Sequence, residues 1–420
     1  MSKFKYDVGV IGLGYVGLPL AIQATSSKLK VYGYDINEKR VSDYNDGQSS
    51  IEDISNQELQ KSLKDGLFLS SDPKYLSDSE VIVISVPTPL TDYQPDLSFV
   101  RSAAETIAQH IVKEQIIILE STTYPGTTVE VLVPIIEDIS GLKAGVDFYA
   151  GYSPERIDPG NEKWNFKNTP KIISGINEKS LQKIKAFYEK IIDSVVSVGG
   201  TKEAEMVKLL ENTYRHVNIA LINELAILCN MLEIDIWEVV DAAKTKPFGF
   251  ESFRPGPGVG GHCIPVDPNY LSFKTRQIGK PVRFVELAQE INNSMPNYVV
   301  SRLLEKMNLL EKPFKNSNIL ILGVAYKKDI GDVRESPALG IIENLLDRGV
   351  NVKYFDPYVS EIDVKNQKIN KEESLDNIKN YDLILVHTAH TEFEKFDFNN
   401  ITVPIFDATG SNHYQNAERI

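Results

Sequence analysis

Short apolar runs alternate with helix-compatible stretches along the first third of the chain. The opening segment, YDVGVIGLGYVGLPLAIQATSSKLKVYGYDIN, passes from an apolar run through a glycine turn and a helical stretch to a second apolar run that ends at Asp35. Further apolar runs follow at VIVISVP (81–87), IIILEST (116–122) and FYAGYSP (148–154). Because short buried strands that alternate with helices form parallel sheets, the pattern predicts a parallel, doubly wound sheet.

The pattern changes from Thr201 to Asp235, where the chain contains neither glycine nor proline. After Val217 the residues are apolar on nearly every face of the predicted helix. A helix of that kind must be covered on several sides. We therefore expect it to lie between domains and to pack against a second subunit, which predicts a homodimer formed through this central helix.

A second alternation of strand and helix patterns begins after a polar stretch near Pro313. It lacks the glycine pattern of the first, so it predicts a second, smaller α/β domain rather than a sequence repeat. Its elements are ILILGVAYK (319–327), SPALGIIENLLDRG, VNVKYFDP (350–357), YDLILVHT (381–388) and VPIFDATG (403–410). The predicted fold class is α/β, with two Rossmann-like doubly wound domains joined by a long central helix and a helical dimerisation region. The predicted domains cover residues 1–200, 201–312 and 313–420.

Composition and charge exclude several classes of function. The chain of 420 residues carries a formal net charge of −13, which leaves no basic excess to bind nucleic acid. No apolar run is as long as a membrane span, and no export signal is recognisable at the N-terminus. The two cysteines lie far apart, which indicates reduced thiols and a cytoplasmic location. The six histidines are scattered, so no metal site is predicted.

The glycine turn of the first segment predicts a dinucleotide site. Gly12, Gly14 and Gly17 form the pattern G-x-G-x-x-G, and Asp35 follows the second strand. The glycines allow a pyrophosphate to approach the helix N-terminus, and the aspartate can bind the ribose hydroxyls. Its negative charge repels a 2′-phosphate and favours NAD over NADP, although Arg40 nearby slightly weakens that preference.

Lys208 and Asn212 stand four residues apart on the predicted long helix and therefore share a face, with Arg215 close to the same stripe. Taken alone, such a pair is most often part of a solvated surface. If the face looks into a cleft, an ammonium and an amide could stabilise an oxyanion.

The segment GGHCIPVDP (260–268) holds Cys263 and Asp267 in a loop rich in glycine and proline. An exposed thiol beside a dinucleotide fold permits covalent catalysis, in which a sulfur captures an aldehyde and a second oxidation leaves a thioester. Cys229 lies on the apolar helix and is interpreted as an inert packed thiol. His262 is interpreted as loop structure rather than as the partner of Cys263.

Seven ordered motifs resemble the UDP-glucose/GDP-mannose dehydrogenase family over nearly the whole chain. They are VIGLGYVGLPLA with YGYDIN, SVPTP, ESTTYPGTT, YSPERIDPGN, KLLENTYR, PGPGVGGHCIPVDP and GVAYKKDIGDVRESP. The resemblance implies an enzyme that oxidises the C6 alcohol of a nucleotide-sugar to a carboxylate with two NAD. It also implies an N-terminal NAD domain, a dimerising central helix, a C-terminal UDP domain and a product used for surface polysaccharide such as capsule or O-antigen.

The resemblance also assigns roles to residues. Cys263 would be the nucleophile, Lys208 and Asn212 would hold the oxyanion, Asp267 and Thr122 would position the hydrolytic water, and Glu155 would act as acid and base. The implied cofactor contacts are Gly12, Gly14, Tyr15, Val16, Gly17, Asp35, Arg40, Pro87, Thr88 and Thr122. The implied substrate contacts are Glu155, Arg156, Lys208, Asn212, Arg215, Arg254, Gly260, Lys327 and Arg334, with Arg254, Lys327 and Arg334 near the diphosphate.

Two departures from the UDP-glucose pattern bear on the substrate. Pro159 stands where a second glutamate is usual, and GGHC replaces GGSC. The motifs look most like the branch that acts on UDP-N-acetylglucosamine, while UDP-N-acetylgalactosamine, UDP-N-acetylmannosamine and UDP-glucose remain alternatives. A two-electron dehydrogenase without covalent catalysis and a non-catalytic nucleotide-sugar sensor are the competing functions.

Overall fold

The computed structural model describes residues 3–51, 54–91, 94–157, 161, 163–261, 263–411, 414 and 417–420. The chain divides into two compact units. The first unit runs up to Glu211 and includes Asn269–Gly279, and the second comprises Asn212–Pro268 and Lys280–Ile420. Within the described residues, no helix is long and apolar enough to cross a membrane.

The strands of the first unit are β1 Tyr6–Ile11, β2 Val31–Tyr34, β3 Leu67–Ser70, β4 Ser79–Ile84, β5 Leu90–Thr91, β6 Gln94–Pro95, β7 Ile116–Leu119, β8 Tyr149–Tyr152, β9 Lys171–Ile173 and β10 Val195–Ser197. Six of them form a parallel sheet in the order β3-β2-β1-β4-β7-β8, while β5 with β6 and β9 with β10 form two-stranded sheets. Its helices are α1 Gly17–Ser26, α2 Glu38–Asn45, α3 Asn56–Asp65, α4 Ser98–His110, α5 Val133–Ser140 and α6 Glu178–Tyr188. The strand order reverses between β1 and β4, which is the arrangement of a doubly wound nucleotide-binding sheet.

Apolar residues on the strands explain this sheet. Val8 and Val10 of β1 are fully buried beside Val83 of β4 and Ile118 of β7, in one cluster with Leu18 of α1. Strands that are apolar along their whole length are typical of parallel sheets covered by helices, and this is why their sequence shows runs rather than alternation.

Helix α7 Thr201–Met231 and helix α9 Asp267–Gln277 contribute residues to both units. Helix α7 ends four residues before the predicted limit at Asp235. The side chain of Asp235 instead accepts hydrogen bonds from the N–H groups of Trp237 and Glu238, and so caps the next helix, α8 Ile236–Ala243. The apolar pattern of the sequence continues past the end of α7 because α8 also buries one apolar face.

The second unit repeats the strand order of the first. Its remaining helices are α10 Arg283–Leu309 and α11 Pro337–Asp347, and its strands are β11 Asn318–Leu322, β12 Asn351–Phe355, β13 Asp363–Val364, β14 Gln367–Lys368, β15 Asn370–Lys371, β16 Leu383–Val386, β17 Ile405–Asp407 and β18 Glu418–Arg419. Six of them form a parallel sheet in the order β15-β12-β11-β16-β17-β18. The predicted fold class, with two Rossmann-like sheets and a long central helix, is confirmed.

Candidate functional site

The glycine turn follows β1 in the first unit. Gly12 has φ +89°, and a Cβ atom there would lie 2.7 Å from the carbonyl oxygen of Ser85. At Gly17 a Cβ atom would lie 1.8 Å from the carbonyl oxygen of Gly12, whereas at Gly14 it would meet nothing within 4 Å. The first and third glycines are therefore required by the packing of the chain itself. The second borders open space, as expected where a pyrophosphate approaches the backbone.

Asp35 stands directly after β2 and is buried. Its carboxylate accepts hydrogen bonds from the N–H groups of Leu13 and Asn37, each at 2.9 Å, and from Nη1 of Arg40 at 2.9 Å. The aspartate thus joins the glycine turn to the start of α2 and pairs with the cation that sequence reasoning had marked. Oδ2 accepts two of these hydrogen bonds and Oδ1 accepts one, so Oδ1 keeps a lone pair for a ribose hydroxyl.

The other predicted cofactor contacts lie in the first unit as well. Tyr15 is exposed and Val16 half-buried in the turn, and Pro87 is exposed while Thr88 is buried in the segment after β4. The carbonyl oxygen of Thr88 accepts a hydrogen bond from the hydroxyl of Tyr270 at 2.8 Å. The turn, the acceptor after β2 and the segment after β4 have the chemistry that a dinucleotide requires, so these residues fit NAD.

A cluster that the sequence did not reveal lies at the carboxyl ends of β7 and β8. Glu120 follows β7, Glu155 lies shortly after β8, and Lys171 is the first residue of β9. The Nζ atom of Lys171 lies 3.1 Å from Glu120 and 3.0 Å from Glu155. The hydroxyl of Tyr188, at the end of α6, donates to Glu120 as well. A single buried ammonium is therefore shared by two carboxylates.

The two carboxylates differ in their affinity for protons. Burial raises the pKa of Glu120 above its ordinary value, and the charge of Lys171 only partly offsets this effect. Burial also disfavours the ionised form of Glu155, but Lys171, Lys208 and backbone hydrogen bonds outweigh burial, so the pKa of Glu155 is lowered. Burial disfavours the charged form of Lys171, yet the two carboxylates leave its pKa raised. Glu155 and Lys171 consequently form an ion pair at neutral pH.

Glu155 is held at several points. Its Oε1 accepts the N–H groups of Arg156 and Ile157, each at 2.7 Å, and its carbonyl oxygen accepts a hydrogen bond from Nζ of Lys208 at 2.7 Å. Arg156 donates in turn to Glu211, at 2.6 Å from Nη2. The structure thus brings together the predicted residues Glu155, Arg156 and Lys208. Pro159, the departure from the UDP-glucose pattern, lies outside the described residues.

Thr122 is half-buried in the loop after β7. This loop is anchored by Glu205 of α7, which sequence reasoning missed. Its carboxylate accepts the N–H of Gly126 at 2.6 Å and the N–H and hydroxyl of Thr128 at 2.8 and 2.7 Å. Because Glu205 stands three residues before Lys208 on the same helix, the loop of Thr122 is tied to the helix that carries the predicted cation.

Cys263 and Asp267 belong to the second unit. Cys263 is exposed, and its carbonyl oxygen accepts the N–H groups of Val266 at 3.2 Å and Asp267 at 2.8 Å, so it lies one turn before α9. Asp267 is buried and accepts a hydrogen bond from the side-chain amide of Asn212. His262 lies outside the described residues. Cys229, predicted to be inert, is half-buried and packs against the hydrophobic core.

Lys208 and Asn212 are 8% and 7% exposed, so neither belongs to a solvated helix face. The alternative interpretation of this pair as ordinary surface is therefore wrong. The pattern could not decide the matter, because a lysine and an asparagine four residues apart occur on buried and exposed faces alike. Arg215 is exposed.

The glycine pair before Cys263 packs against a neighbouring loop of the second unit. A Cβ atom on Gly260 would lie 2.6 Å from Cβ of Tyr326 and 2.9 Å from the carbonyl oxygen of Glu335. Gly261 has φ +86°, a Cβ atom there would lie 2.7 Å from the ring of Tyr326, and its N–H donates to the carbonyl of Arg334 at 3.0 Å. Only glycine fits at either position. The two glycines thus hold the Cys263 segment against the loop that carries Lys327 and Arg334.

A second contact restrains the same segment. Asn223 of α7 accepts the N–H of Gly256 at 2.9 Å and donates to the side chain of Asn292 at 3.0 Å. Asn292, on α10, donates to the carbonyl of His216 at 3.2 Å. All three side chains are buried. This chain of amides was also missed, since isolated asparagines on long helices give no sequence signal.

The predicted diphosphate cations have different settings in the second unit. Arg254 is exposed, lies 5.7 Å from the ring centre of Trp237 and donates a hydrogen bond to Asp241 at 3.3 Å. Arg334 is also exposed and forms a bidentate pair with Asp332. Lys327 lines a cavity of about 360 Å³ at the carboxyl ends of β11, β16 and β17. The other residues lining it are Tyr326, Lys328, His387, Thr388, Ala389, His390, Glu394, Thr409, Ser411 and Tyr414.

Asp356 repeats the position of Asp35 in the second unit. Gly323 follows β11 with φ +75°, and the carboxylate of Asp356 after β12 accepts the N–H of Val324 at 2.7 Å. His390 also contacts this carboxylate, at 3.1 Å from Nε2. The sheet of the second unit is thus a structural repeat of the sheet of the first unit, although its turn carries only one of the three glycines. An acidic residue at the end of the second strand was the signal that could have revealed it.

Comparison with known proteins gives matches over most of the chain. Three models of the UDP-glucose/GDP-mannose dehydrogenase family match in succession, for the NAD binding domain over residues 6–192, the central domain over 202–294 and the UDP binding domain over 320–410. The UDP-N-acetyl-D-glucosamine 6-dehydrogenase of Pseudomonas aeruginosa is 37% identical over 396 residues, which cover 94% of this chain and 93% of that protein.

The UDP-N-acetyl-D-mannosamine dehydrogenase of Pyrococcus horikoshii is 34% identical over 399 residues, covering 94% of this chain and 92% of that protein. A solved structure titled as the UDP-D-ManNAc dehydrogenase of the same organism superposes with a TM-score of 0.88 at 34% identity, over 96% of this chain and 95% of that one. A UDP-glucose dehydrogenase structure from Pyrobaculum islandicum has the same fold at 23% identity, with a TM-score of 0.88 over 99% and 96% of the two chains.

Proposed function

Since the chain belongs to the UDP-glucose/GDP-mannose dehydrogenase family and is an NAD-dependent UDP-sugar 6-dehydrogenase, we propose that its substrate is UDP-N-acetylglucosamine, oxidised at C6 to the uronate. The curated relatives include proteins named for the gluco and for the manno sugar. The first-named relative is slightly more similar, and the motifs YSPERIDPGN and GGHCIPVDPNYL favour the same sugar. UDP-N-acetylmannosamine, UDP-N-acetylgalactosamine and UDP-glucose are the alternatives that the assay below separates.

Cys263 is the proposed nucleophile. Bound NAD supplies the hydride acceptor, so that one alcohol, one water and two NAD give one carboxylate, two NADH and three protons. The thiolate of Cys263 adds to the aldehyde carbon, and the resulting thiohemiacetal keeps that carbon on the enzyme. Its oxidation leaves a thioester, and attack of water breaks the C–S bond and restores the thiolate.

The other residues serve the charges that develop in these steps. Lys208 and Asn212 are the proposed donors to the oxygen that becomes negative when sulfur or water adds to the carbonyl carbon. Asp267 and Thr122 are proposed to position the water, and Glu155 to take its proton. The buried positions of Lys208, Asn212 and Asp267 support this assignment, since charge stabilisation is stronger away from solvent.

The C-terminal domain is proposed to bind the UDP part. Lys327 at the cavity and the neighbouring Arg334 supply the cations suited to a diphosphate, and Arg254 adds a third from the loop before Cys263. Gly260 is proposed to contact the sugar through its backbone. With a net charge of −13, such local cations are needed to hold an anionic substrate.

A homodimer through the central helix is also proposed. Tyr214, Leu221, Leu225 and Leu228 of α7 recur at intervals of 7, 4 and 3 residues, and each is at least 38% exposed. A stripe of this spacing on one helix is the pattern of a helix–helix interface.

We further propose that the enzyme acts in the cytoplasm, where Cys263 stays a thiol, and that the uronate enters a surface polysaccharide.

The exposed thiol of Cys263, held by glycines against a loop with diphosphate-type cations, is the observation that carries this proposal. The test follows NADH formation with UDP-N-acetylglucosamine, its galacto and manno epimers and UDP-glucose. We expect the gluco compound to give the highest kcat/KM, with two NADH per uronate. Cys263→Ala should abolish steady turnover, whereas Cys229→Ser, the matched control, should retain it. One NADH per product, or full acid production by Cys263→Ala, would contradict the thioester route.

A further inference from the structure

The carboxylate of Glu155 does not stand alone in its part of the first unit. Groups from four other elements face it: Lys171 from β9, Glu120 from the end of β7, Tyr188 from α6, and Lys208 with Glu211 from α7. Of these, Lys171 contacts the carboxylate itself. Lys208 reaches only the carbonyl of Glu155, and Glu211 acts through Arg156.

Lys171 is an unusual lysine because it is almost entirely buried. Lysines are rarely buried unless they are paired, and an isolated ammonium in such a place would lose its proton. Here Glu155 and Glu120 each accept from it, at 3.0 and 3.1 Å, and the rings of Phe166 and Tyr188 lie 5.4 and 5.6 Å from Nζ. The surroundings thus keep this cation charged.

We propose that Lys171 is a positioning residue for Glu155: its ammonium keeps that carboxylate ionised and pinned beneath the backbone of residues 156–157, and Glu120 is the second carboxylate that stabilises the ammonium. The inference rests on the acid–base role proposed for Glu155. It deepens that role, because a carboxylate that is kept ionised can accept a proton from the hydrolytic water. The proton that leaves the water goes to Glu155, and the oxygen bonds to the thioester carbon.

The geometry also explains why two glutamates are present. With one carboxylate, a buried lysine would be balanced in charge but would leave donors unsatisfied, since an ammonium has three. Glu120 accepts one of them, and one of its own oxygens has no hydrogen-bond partner among the described residues.

The proposal is tested by the pH dependence of four variants: Lys171→Met, Lys171→Arg, Lys171→Met with Glu120→Gln, and Lys167→Met as an exposed lysine control in the same region. The measured quantity is the ratio of variant to wild-type kcat between pH 5 and 9, which cancels groups common to both. Removing the ammonium raises the pKa of Glu155, so the acidic limb should move up by about 1 to 3 pH units. Below the new limb the ratio should fall about tenfold per pH unit.

Lys171→Arg and Lys167→Met should keep the wild-type profile. In the double variant the acidic limb should lie at a pH above that of wild type but below that of Lys171→Met. The reason is that Glu120→Gln removes the carboxylate that would repel Glu155 once the ammonium is gone. The double variant also removes both partners of a buried pair, which proteins tolerate better than the loss of one, so it serves if Lys171→Met does not fold. In Lys171→Met and in the double variant, the thioester on Cys263 should accumulate at pH 6 and not at pH 9, as seen by mass spectrometry of quenched enzyme.

A profile of the folded double variant identical to that of wild type would overturn the inference. The role proposed for Glu155 is tested separately by Glu155→Gln. If that variant turns over normally, the proposed role fails. If it is inactive while the Lys171 variants keep the wild-type limb, the role of Glu155 stands and the inference about Lys171 is refuted.

Discussion

The glycine pair before Cys263 offers a quantitative test of how the nucleophile is positioned. Gly261→Ala places a methyl group 2.7 Å from the ring of Tyr326 and forces a side chain into the left-handed region at φ +86°. Gly260→Ala places its methyl group 2.6 Å from Cβ of Tyr326 and 2.9 Å from a backbone oxygen. The two substitutions therefore meet different atoms of one neighbour.

The expected destabilisation follows from these contacts. Gly261→Ala should cost about 1–2 kcal/mol for the left-handed backbone and about 1–3 kcal/mol for overpacking against the ring. Tyr326→Ala removes the ring, so in that background only the backbone cost should remain. Gly260→Ala should cost about 1–3 kcal/mol in either background, because alanine retains the Cβ atom that it meets. A double-mutant cycle should thus give a coupling of about 1–3 kcal/mol for Gly261 and within about 0.5 kcal/mol of zero for Gly260.

Tryptophan fluorescence provides the assay. Of the two tryptophans, Trp237 lies in the same unit as the loop and is 4% exposed, whereas Trp164 lies in the other unit and is 46% exposed. In a Trp164→Phe background, urea unfolding followed by fluorescence reports the second unit. The rate at which Cys263 is alkylated in the native enzyme gives a second readout, and it should rise in both glycine variants.

Equal coupling of the two glycines to Tyr326 would refute the reasoning, because it would mean that the ring and the Cβ atom of Tyr326 are not the separate contacts that the structure shows. A Gly261→Ala variant as stable as wild type would refute it more simply.

Two further predictions concern the cofactor and pH. Asp35→Asn should raise the NADP to NAD ratio of kcat/KM at least about tenfold, since it frees Arg40 from its partner and removes the charge that repels a 2′-phosphate. Adding Arg40→Ala should remove the part of the gain that Arg40 contributes, and steady-state kinetics with both cofactors checks this. Burial lowers the pKa of His216 to about 4. The unfolded chain, with a histidine pKa of about 6.5, binds this proton more readily, so stability should fall as the pH drops from about 6.5 to 4, by up to about 3 kcal/mol. His216→Gln should flatten that dependence in urea unfolding at pH 5 and 7, and an unchanged slope would show that His216 is not its source.

Much of the architecture could be predicted because it depends on patterns that lie close together in the chain. The apolar runs at β1, β4 and β7 and the glycine turn are each contained in a few residues, and so is the loop of Cys263. Periodicity and turn chemistry act over that range, so they indicated the sheet, the cofactor turn and an exposed thiol. The end of α7 was missed because the apolar pattern continues into α8, and only the cap formed by Asp235 marks the break.

The sequence by itself determined the two strand–helix alternations, the glycine turn with Asp35, and a rigid loop around Cys263. Only the tertiary structure decided which polar side chains meet. Tyr188 reaches Glu120 across 68 residues of chain, and Asn292 reaches Asn223 across 69. Such partners are brought together by the packing of whole strands and helices, and a buried charge such as Lys171 is stable only once that packing supplies its counter-charges. No local pattern encodes a contact of that kind, because its free energy exists only in the folded chain.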